Sequence, residues 1–216
     1  MEIILLGENF FIPHEAKRLS SVAVRFENSS EACLFDCGEG TQHYLVQSCL
    51  KNRQIRKIII SELNSNSCLG LIGLLATLSL NERIIPLQIY APNGLCRYLR
   101  LFSRYSQTNF GYAIDISSVQ VGVICQFSEY RILALPLTED QKVFGYSILE
   151  KERIGKFRIS QAQSLKIPLG PLYGELKRRN RLILSNGYLV NGKDLCEFPK
   201  RGRKFTYITY LVKKKR

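Results

Sequence analysis

Short apolar runs alternate with polar, glycine-bearing turns along the first half of the chain. Five of these runs have the β-branched, apolar character of strands: residues 1–6, 22–26, 32–35, 57–61 and 87–90. Helical patterns follow three of them, at residues 42–50, 69–80 and 95–105. A repeated succession of strand, turn and helix predicts an open α/β sheet with parallel strands.

The second half of the chain has a different pattern, in which strands dominate and then give way to a looser segment. Further strands are predicted at residues 113–116, 119–125, 130–135 and 144–149. From 150 to 180 the prolines and glycines favour an extended, irregular course. Asn186-Gly187 predicts a small hairpin between 182–184 and 188–190, and a last strand is expected at 204–212.

The length and composition fit one domain with a sizeable core, because the chain has 216 residues of which 45% are hydrophobic. No uncharged apolar run reaches the roughly 18 residues that a membrane-spanning helix needs, so we expect no membrane association. The amino terminus leads directly into a strand pattern, which predicts no targeting segment. Seven scattered cysteines without a CxxC pair favour reduced thiols in a reducing compartment.

The positive charge is concentrated in the last third of the chain. Residues 1–150 hold 13 Lys/Arg and 14 Asp/Glu, whereas residues 151–216 hold 18 Lys/Arg and 4 Asp/Glu. Such asymmetry suggests a polyanionic partner, although a charged run is also typical of a solvated surface.

Histidine is scarce, and this limits the chemistry that the chain can perform. His14 and His43 are the only two, whereas a two-zinc hydrolase site usually needs several imidazoles. His43 could serve Cys37 as a base, but a surface histidine is the favoured interpretation.

Several segments in collinear order resemble ribonuclease Z, the family of tRNA 3′-end endonucleases in the metallo-β-lactamase superfamily. They are LFDCGEGTQ at 34–42, LGLIGLLATLSL at 69–80, YAPNG at 90–94, IPLGPLYGELK at 167–177 and Gly202-Arg203-Lys204. The resemblance implies an α/β fold, a metallo-β-lactamase-like αββα sandwich with an inserted basic exosite-like arm. It also implies a chain truncated at its C-terminus, similar to plastid-encoded ribonuclease Z-like proteins. The expected divisions are a core at 1–149, the arm at 150–195, and a last strand with a basic tail at 196–216.

The resemblance places the family's metal ligands on residues of other types in this chain. The family's loop reads Thr-His-x-His-x-Asp-His, and here Glu62, Asn64 and Ser67 replace the histidines while Asn66 replaces the aspartate. Glu139 replaces a later histidine, and Tyr210 replaces the bridging aspartate. Asn and Ser oxygens are weak ligands for zinc, so although zinc is the family's metal, we expect no cofactor and assign no catalytic residue.

The basic arm keeps the features that the family uses to grip tRNA. Its Gly-Pro motif corresponds to Gly170-Pro171, and phosphate contacts need only well-placed Lys and Arg side chains. The predicted RNA-binding residues are Lys151, Arg153, Lys156, Gly170, Pro171, Lys177, Arg178 and Arg179.

These observations predict a catalytically inactive ribonuclease Z-like protein that binds tRNA or pre-tRNA through the arm. An exposed apolar face would favour a homodimer or a partner chain. One alternative is an active tRNA 3′-processing endonuclease whose unconventional metal is held by Glu62 and Glu139. Another is a decaying reading frame, or an interaction protein that binds no nucleic acid. We expect a plastid location, with a bacterial cytoplasm as the alternative.

Overall fold

The protein is represented by a computed structural model that describes residues 1–6, 21–27, 31–178, 181–184 and 187–208. The chain forms two compact units, which are described separately. Unit 1 comprises residues 1–127, 131–148 and 205–216, and unit 2 comprises residues 128–130 and 149–204. His14, Arg179, Tyr210 and the end of the basic tail lie outside the described residues.

The first sheet of unit 1 has six strands in the order β1-β2-β3-β4-β5-β6. Its strands are β1 (Glu2–Leu6), β2 (Ser21–Arg25), β3 (Ala32–Phe35), β4 (Ile55–Ile59), β5 (Leu87–Ala91) and β6 (Ile114–Ser118). The first three strands pair antiparallel, and the pairs from β3 to β6 are parallel. All four residues of β3 are buried, as expected for a strand covered on both faces.

Helices cover one face of this sheet. They are α1 (Thr41–Gln47), α2 (Ser65–Cys68), α3 (Leu71–Leu80) and α4 (Leu95–Ser106), and a 3-10 helix spans Asn52–Gln54. Leu45 of α1, Leu74 and Leu78 of α3, and Leu99 of α4 belong to one buried cluster with the strand side chains. No helix in the described part of the chain is long and apolar enough to cross a membrane.

A second sheet has the strand order β12-β9-β8-β7. Its strands are β7 (Gly122–Gln126), β8 (Tyr130–Pro136), β9 (Phe144–Glu150) and β12 (Lys204–Tyr207). Aromatic rings join the two sheets, since Phe35 of β3 lies with its ring centre 6.0 Å from that of Tyr146 and 5.2 Å from that of Tyr207. The two sheets of unit 1 therefore form a sandwich.

Unit 2 contains α5 (Ile159–Ser164), α6 (Pro171–Lys177) and the antiparallel hairpin of β10 (Arg181–Ile183) and β11 (Leu189–Asn191). The hairpin was predicted, but the irregular course expected for 150–180 is wrong over both helices. Pro171 begins α6, where its fixed φ is suited to a helix and its missing N–H would have had no helical partner. Ala162, Ile167 and Leu176 form a small buried cluster that stabilises these helices.

Candidate functional site

The carboxyl ends of three parallel strands bring together the residues of the candidate site. Asp36 follows β3, Ser61 follows β4 and Pro92 follows β5. In open α/β sheets this edge is the usual place for ligand binding. Asp36 has a positive φ of 56°, a conformation that aspartate tolerates better than most residues, and it turns its carboxylate toward Ser61.

The Asp36 carboxylate is the centre of a buried hydrogen-bond network. The Ser61 backbone N–H donates to Oδ1 at 2.6 Å, and the Ser61 hydroxyl donates to Oδ2 at 2.7 Å. The Tyr207 hydroxyl of β12 also donates to Oδ2, at 3.0 Å. The carboxylate thus links the ends of β3 and β4 to the second sheet.

Burial dominates the electrostatics of this network. It raises the pKa of Asp36 to about 6, although the hydrogen bonds from Ser61, Tyr207 and Ser67 act in the opposite direction. Burial and the neighbouring carboxylate also raise the pKa of Tyr207, so its hydroxyl stays protonated and donates.

The loop after β4 holds the four positions where the resemblance places metal ligands. Asn64 caps α2, because its Oδ1 accepts a hydrogen bond from the Ser67 backbone N–H at 2.9 Å. Ser67 is buried, and its hydroxyl lies 3.3 Å from that of Ser61. Glu62 is half-buried and Asn66 is exposed. Two of the four side chains therefore make internal hydrogen bonds.

A cavity of about 530 Å³ adjoins this loop. The residues that line it include Glu62, Asn64, Asn93, Thr138 and Asp140. The hydrogen bond from Thr138, followed by that from Lys142, lowers the pKa of Asp140 to about 2, so this carboxylate is charged. Glu139, which the alternative metal site requires, is exposed and does not line the cavity.

The Cys37 and His43 pair does not form a nucleophilic site. Cys37 is buried, and burial raises the pKa of its thiol to about 12. His43 is exposed on α1. A neutral, enclosed thiol is unreactive and packs as a core residue, which agrees with the favoured interpretation of the sequence.

The predicted RNA-binding residues of the arm lie in unit 2, and those that the structure describes are exposed: Lys151, Arg153, Lys156, Gly170, Pro171, Lys177 and Arg178. Arg153 lies 3.6 Å from Glu150 in an ion pair, which partly offsets its charge. Tyr173 packs inside the arm, since its hydroxyl donates to the Ile167 carbonyl oxygen at 3.1 Å and its ring contacts that of Phe157.

Sequence reasoning missed the role of Tyr207. Its partner Asp36 lies 171 positions away along the chain, and nothing in the sequence around either residue signals the hydrogen bond. Sequence reasoning also passed over the exposed arginines of α4, although their helical spacing is visible in the sequence.

This arrangement of two sheets, with a polar loop at the ends of β3 and β4, is that of the metallo-β-lactamase fold. Human tRNase Z, short form, matches with a TM-score of 0.60 and 29% identity, over 71% of this chain and 66% of its own. A long-form RNase Z from yeast shares the fold, with a TM-score of 0.51 and 14% identity, over 61% of this chain and 24% of its own. The expected fold class is thereby confirmed.

Curated relatives identify the family within this fold. Ribonuclease Z of a Picosynechococcus species is 42% identical over 212 residues, which cover 98% of this chain and 67% of the relative. Ribonuclease Z of Gloeothece citriformis is 41% identical, over 98% of this chain and 67% of the relative. No protein-family model matches the chain. The chain belongs to the ribonuclease Z family and spans about two thirds of the length of these relatives.

Membership of this family corrects one expectation. The sequence predicted no cofactor, whereas identity of 42% to ribonuclease Z over 212 residues points to zinc, the metal of the family. That prediction is therefore wrong.

Three of the five described residues at the family's ligand positions, Asn64, Asn66 and Ser67, have neutral side chains that are weak ligands for zinc. Asn64 supplies its side-chain oxygen to the cap of α2, and Ser67 is a buried hydroxyl within the Asp36 network. Zinc sites are built from imidazole, thiolate and carboxylate ligands. Within the described ranges, no three His, Cys, Asp or Glu side chains form a cluster that could hold a metal ion. We therefore derive no catalytic step through zinc from these residues.

Proposed function

We propose that the chain is a tRNA-binding member of the ribonuclease Z family that does not cleave its RNA. The arm of unit 2 is the observation that carries this proposal. Lys156, Lys177 and Arg178 project into solvent from a segment with its own buried cluster. Phosphate binding requires exposed cations on a stable support, and it does not require a metal.

The loss of cleavage is supported by what replaces the family's histidines. A hydrolytic zinc centre lowers the pKa of a bound water through strong Lewis acidity, which depends on a closely coordinated ion. Asn64 and Ser67 instead stabilise local structure through the hydrogen bonds described above. Glu62 is the remaining carboxylate of that loop, and it lines the cavity.

The binding experiment measures the affinity for a tRNA transcript by fluorescence anisotropy at several salt concentrations. An arm variant, Lys156→Gln/Lys177→Gln/Arg178→Gln, is compared with a control variant, Lys51→Gln/Arg53→Gln/Arg131→Gln, whose residues are exposed in unit 1. Both remove three positive charges. We expect roughly 10- to 100-fold weaker binding and a shallower salt dependence for the arm variant alone. Equal binding by the two variants would contradict the role of the arm.

The cleavage experiment incubates the protein with pre-tRNA in the presence of zinc, which is included because it is the family's metal. We expect no product at the 3′ end of the tRNA. A zinc-dependent product that disappears with Glu62→Gln would establish the endonuclease alternative instead.

Association with a second copy is a further part of the proposal. On the second sheet, Val123 of β7 is 50% exposed and Leu135 of β8 is 51% exposed, while Leu133 between them pairs with Val123. Apolar side chains grouped on one sheet face are commonly covered by another chain. Light scattering is expected to give a mass above that of the 24.8 kDa monomer, and a monomer at micromolar concentration would contradict the association.

The proposed location is a plastid. The Ile-, Lys-, Asn- and Tyr-rich composition and the cyanobacterial sources of the relatives support it. Immunodetection in isolated plastids tests it, and a signal confined to another compartment would contradict it.

A further inference from the structure

Helix α4 of unit 1 carries a row of arginines that the proposed function does not use. Arg97, Arg100 and Arg104 are exposed and follow one another at spacings of three and four residues, so they form one stripe along the helix. At 1.5 Å per residue the stripe extends about 10 Å. The helix contains no acidic residue.

The packing of α4 fixes the direction of this stripe. Leu95 and Leu99 are buried in the core of unit 1, which turns the opposite side of the helix outward. A second exposed row runs beside the arginines, with Tyr98 at 39%, Leu101 at 42% and Tyr105 at 80% exposure. Cations and exposed aromatic rings therefore lie side by side on one helix.

Among the residues that the structure describes, no ion pair neutralises the charge of the stripe. Among the described residues of unit 1, Arg25 pairs with Glu2 and Arg56 with Glu31, whereas the three arginines of α4 have no acidic partner in this part of the chain. Three uncompensated guanidinium groups on a rigid support create a local positive potential. A polyanion would be attracted to this face.

The stripe also begins close to the candidate site. Pro92 and Asn93 line the 530 Å³ cavity, and α4 starts two residues later at Leu95. An extended polyanion bound at the cavity could therefore continue along α4 and remain in contact with unit 1.

We propose that the exposed face of α4 is a second RNA-contact surface, at which the arginines bind phosphates and the tyrosines stack on bases. Guanidinium groups hold phosphate oxygens in bidentate hydrogen bonds, and base stacking on tyrosine tolerates any sequence. The aromatic row favours RNA over an acidic polypeptide, because every nucleotide pairs its phosphate with a flat base, whereas the Asp and Glu side chains of a polypeptide have no ring to stack. The inference depends on RNA binding by the protein, and it assigns to unit 1 a contact distinct from the arm of unit 2.

The test uses an α4 variant, Arg97→Gln/Arg100→Gln/Arg104→Gln, alongside the arm and control variants defined above, all in the full chain. Circular dichroism and thermal melting first establish that each variant folds. We expect roughly 10- to 100-fold weaker tRNA binding for the α4 variant and a salt slope reduced by about 2 to 3, with the control unchanged.

A second pair of variants tests stacking separately from charge. Tyr105→Ala is expected to weaken binding roughly 5- to 150-fold, whereas Tyr105→Phe, which keeps the ring, should bind like the unchanged protein. Equal affinities of these two variants would overturn the stacking contact.

The remaining outcomes separate this inference from the proposed function. Weakened binding by the arm variant, with the α4 variant equal to the control, would overturn the α4 surface and leave the tRNA-binding proposal standing. An unchanged protein that binds no tRNA would overturn both. Competition by poly-glutamate as effective as that by RNA at equal charge would overturn the choice of RNA as the ligand.

Discussion

The hydrogen bond from Tyr207 to Asp36 can be tested by removing one hydroxyl group. Tyr207→Phe keeps the ring, whose centre lies 5.2 Å from that of Phe35. It deletes the hydroxyl oxygen, which lies 3.0 Å from Oδ2 of Asp36. A hydrogen bond to a charged group contributes about 1.5 to 3 kcal/mol to stability. We therefore expect the free energy of unfolding to fall by about 2 kcal/mol at pH 8, where Asp36 is ionised.

The same substitution should cost less in acid. The pKa of Asp36 is raised from 3.8 to about 6 by burial, so the group is neutral at pH 4.5, and hydrogen bonds to neutral groups are about half as strong. A raised pKa means that the folded state binds the proton more tightly than the unfolded state. Protonation therefore adds about 3 kcal/mol of stability that is fully present below pH 3.8 and is lost as the pH rises through about 6.

The assay is urea unfolding at pH 4.5 and pH 8 for the unchanged protein, Tyr207→Phe, Asp36→Asn and the double variant. The double-mutant cycle should give a coupling energy of about 1 kcal/mol at pH 8, because the amide oxygen introduced by Asp36→Asn still accepts a weaker hydrogen bond from the Tyr207 hydroxyl. Tyr146→Phe is the matched control, because the buried Tyr146 hydroxyl donates to the uncharged Ile60 carbonyl oxygen at 2.7 Å and its loss should cost the same at both pH values. A coupling below about 0.5 kcal/mol at pH 8 would refute the reasoning.

The remaining predictions concern Arg83 and Gly70 in unit 1 and Gly174 in unit 2. The Arg83 guanidinium donates hydrogen bonds to the carbonyl oxygens of Ile55 and Ile85, each at 2.7 Å. Urea titration of Arg83→Met should therefore show a free energy of unfolding lower by about 3 kcal/mol. A loss below about 1 kcal/mol would contradict this expectation. A side chain at Gly70 would collide with the backbone of a neighbouring loop, so Gly70→Ala should lower the melting temperature or prevent folding. Gly174→Ala in α6, where open space surrounds the position, should stabilise by about 0.5 to 1 kcal/mol, and equal effects at the two glycines would count against this explanation.

Elements with a strong local pattern could be predicted closely from the sequence. Strand β3 was expected at its observed bounds of Ala32–Phe35, and α4 was expected within one residue of Leu95–Ser106. Both are punctuated by polar or glycine residues that end one element and begin the next. The local sequence was therefore sufficient to predict these two elements.

Elements that depend on distant contacts could not be predicted in the same way. The helices α5 and α6 are short, and the apolar side chains that stabilise them come from as far as Val190 and Leu195. Short helices are marginal without such packing, so their own sequence gives little signal. In the candidate site, the resemblance pointed to the loop after β4, whereas the hydrogen bonds of Asn64 and Ser67 depend on the folded loop.

The cap that Asn64 provides for α2 has a consequence for anyone who would rebuild the family's site in this chain. Replacing Asn64 with histidine would remove the Oδ1 atom that accepts the hydrogen bond from the Ser67 N–H. Replacing Ser67 with histidine would place a larger side chain at a position that is only 3% exposed. Both substitutions would thus disturb the first turn of α2, which contains Ser67 and is capped by Asn64. Introducing histidines at these positions would therefore require compensating changes in the supporting loop as well as the substitutions themselves.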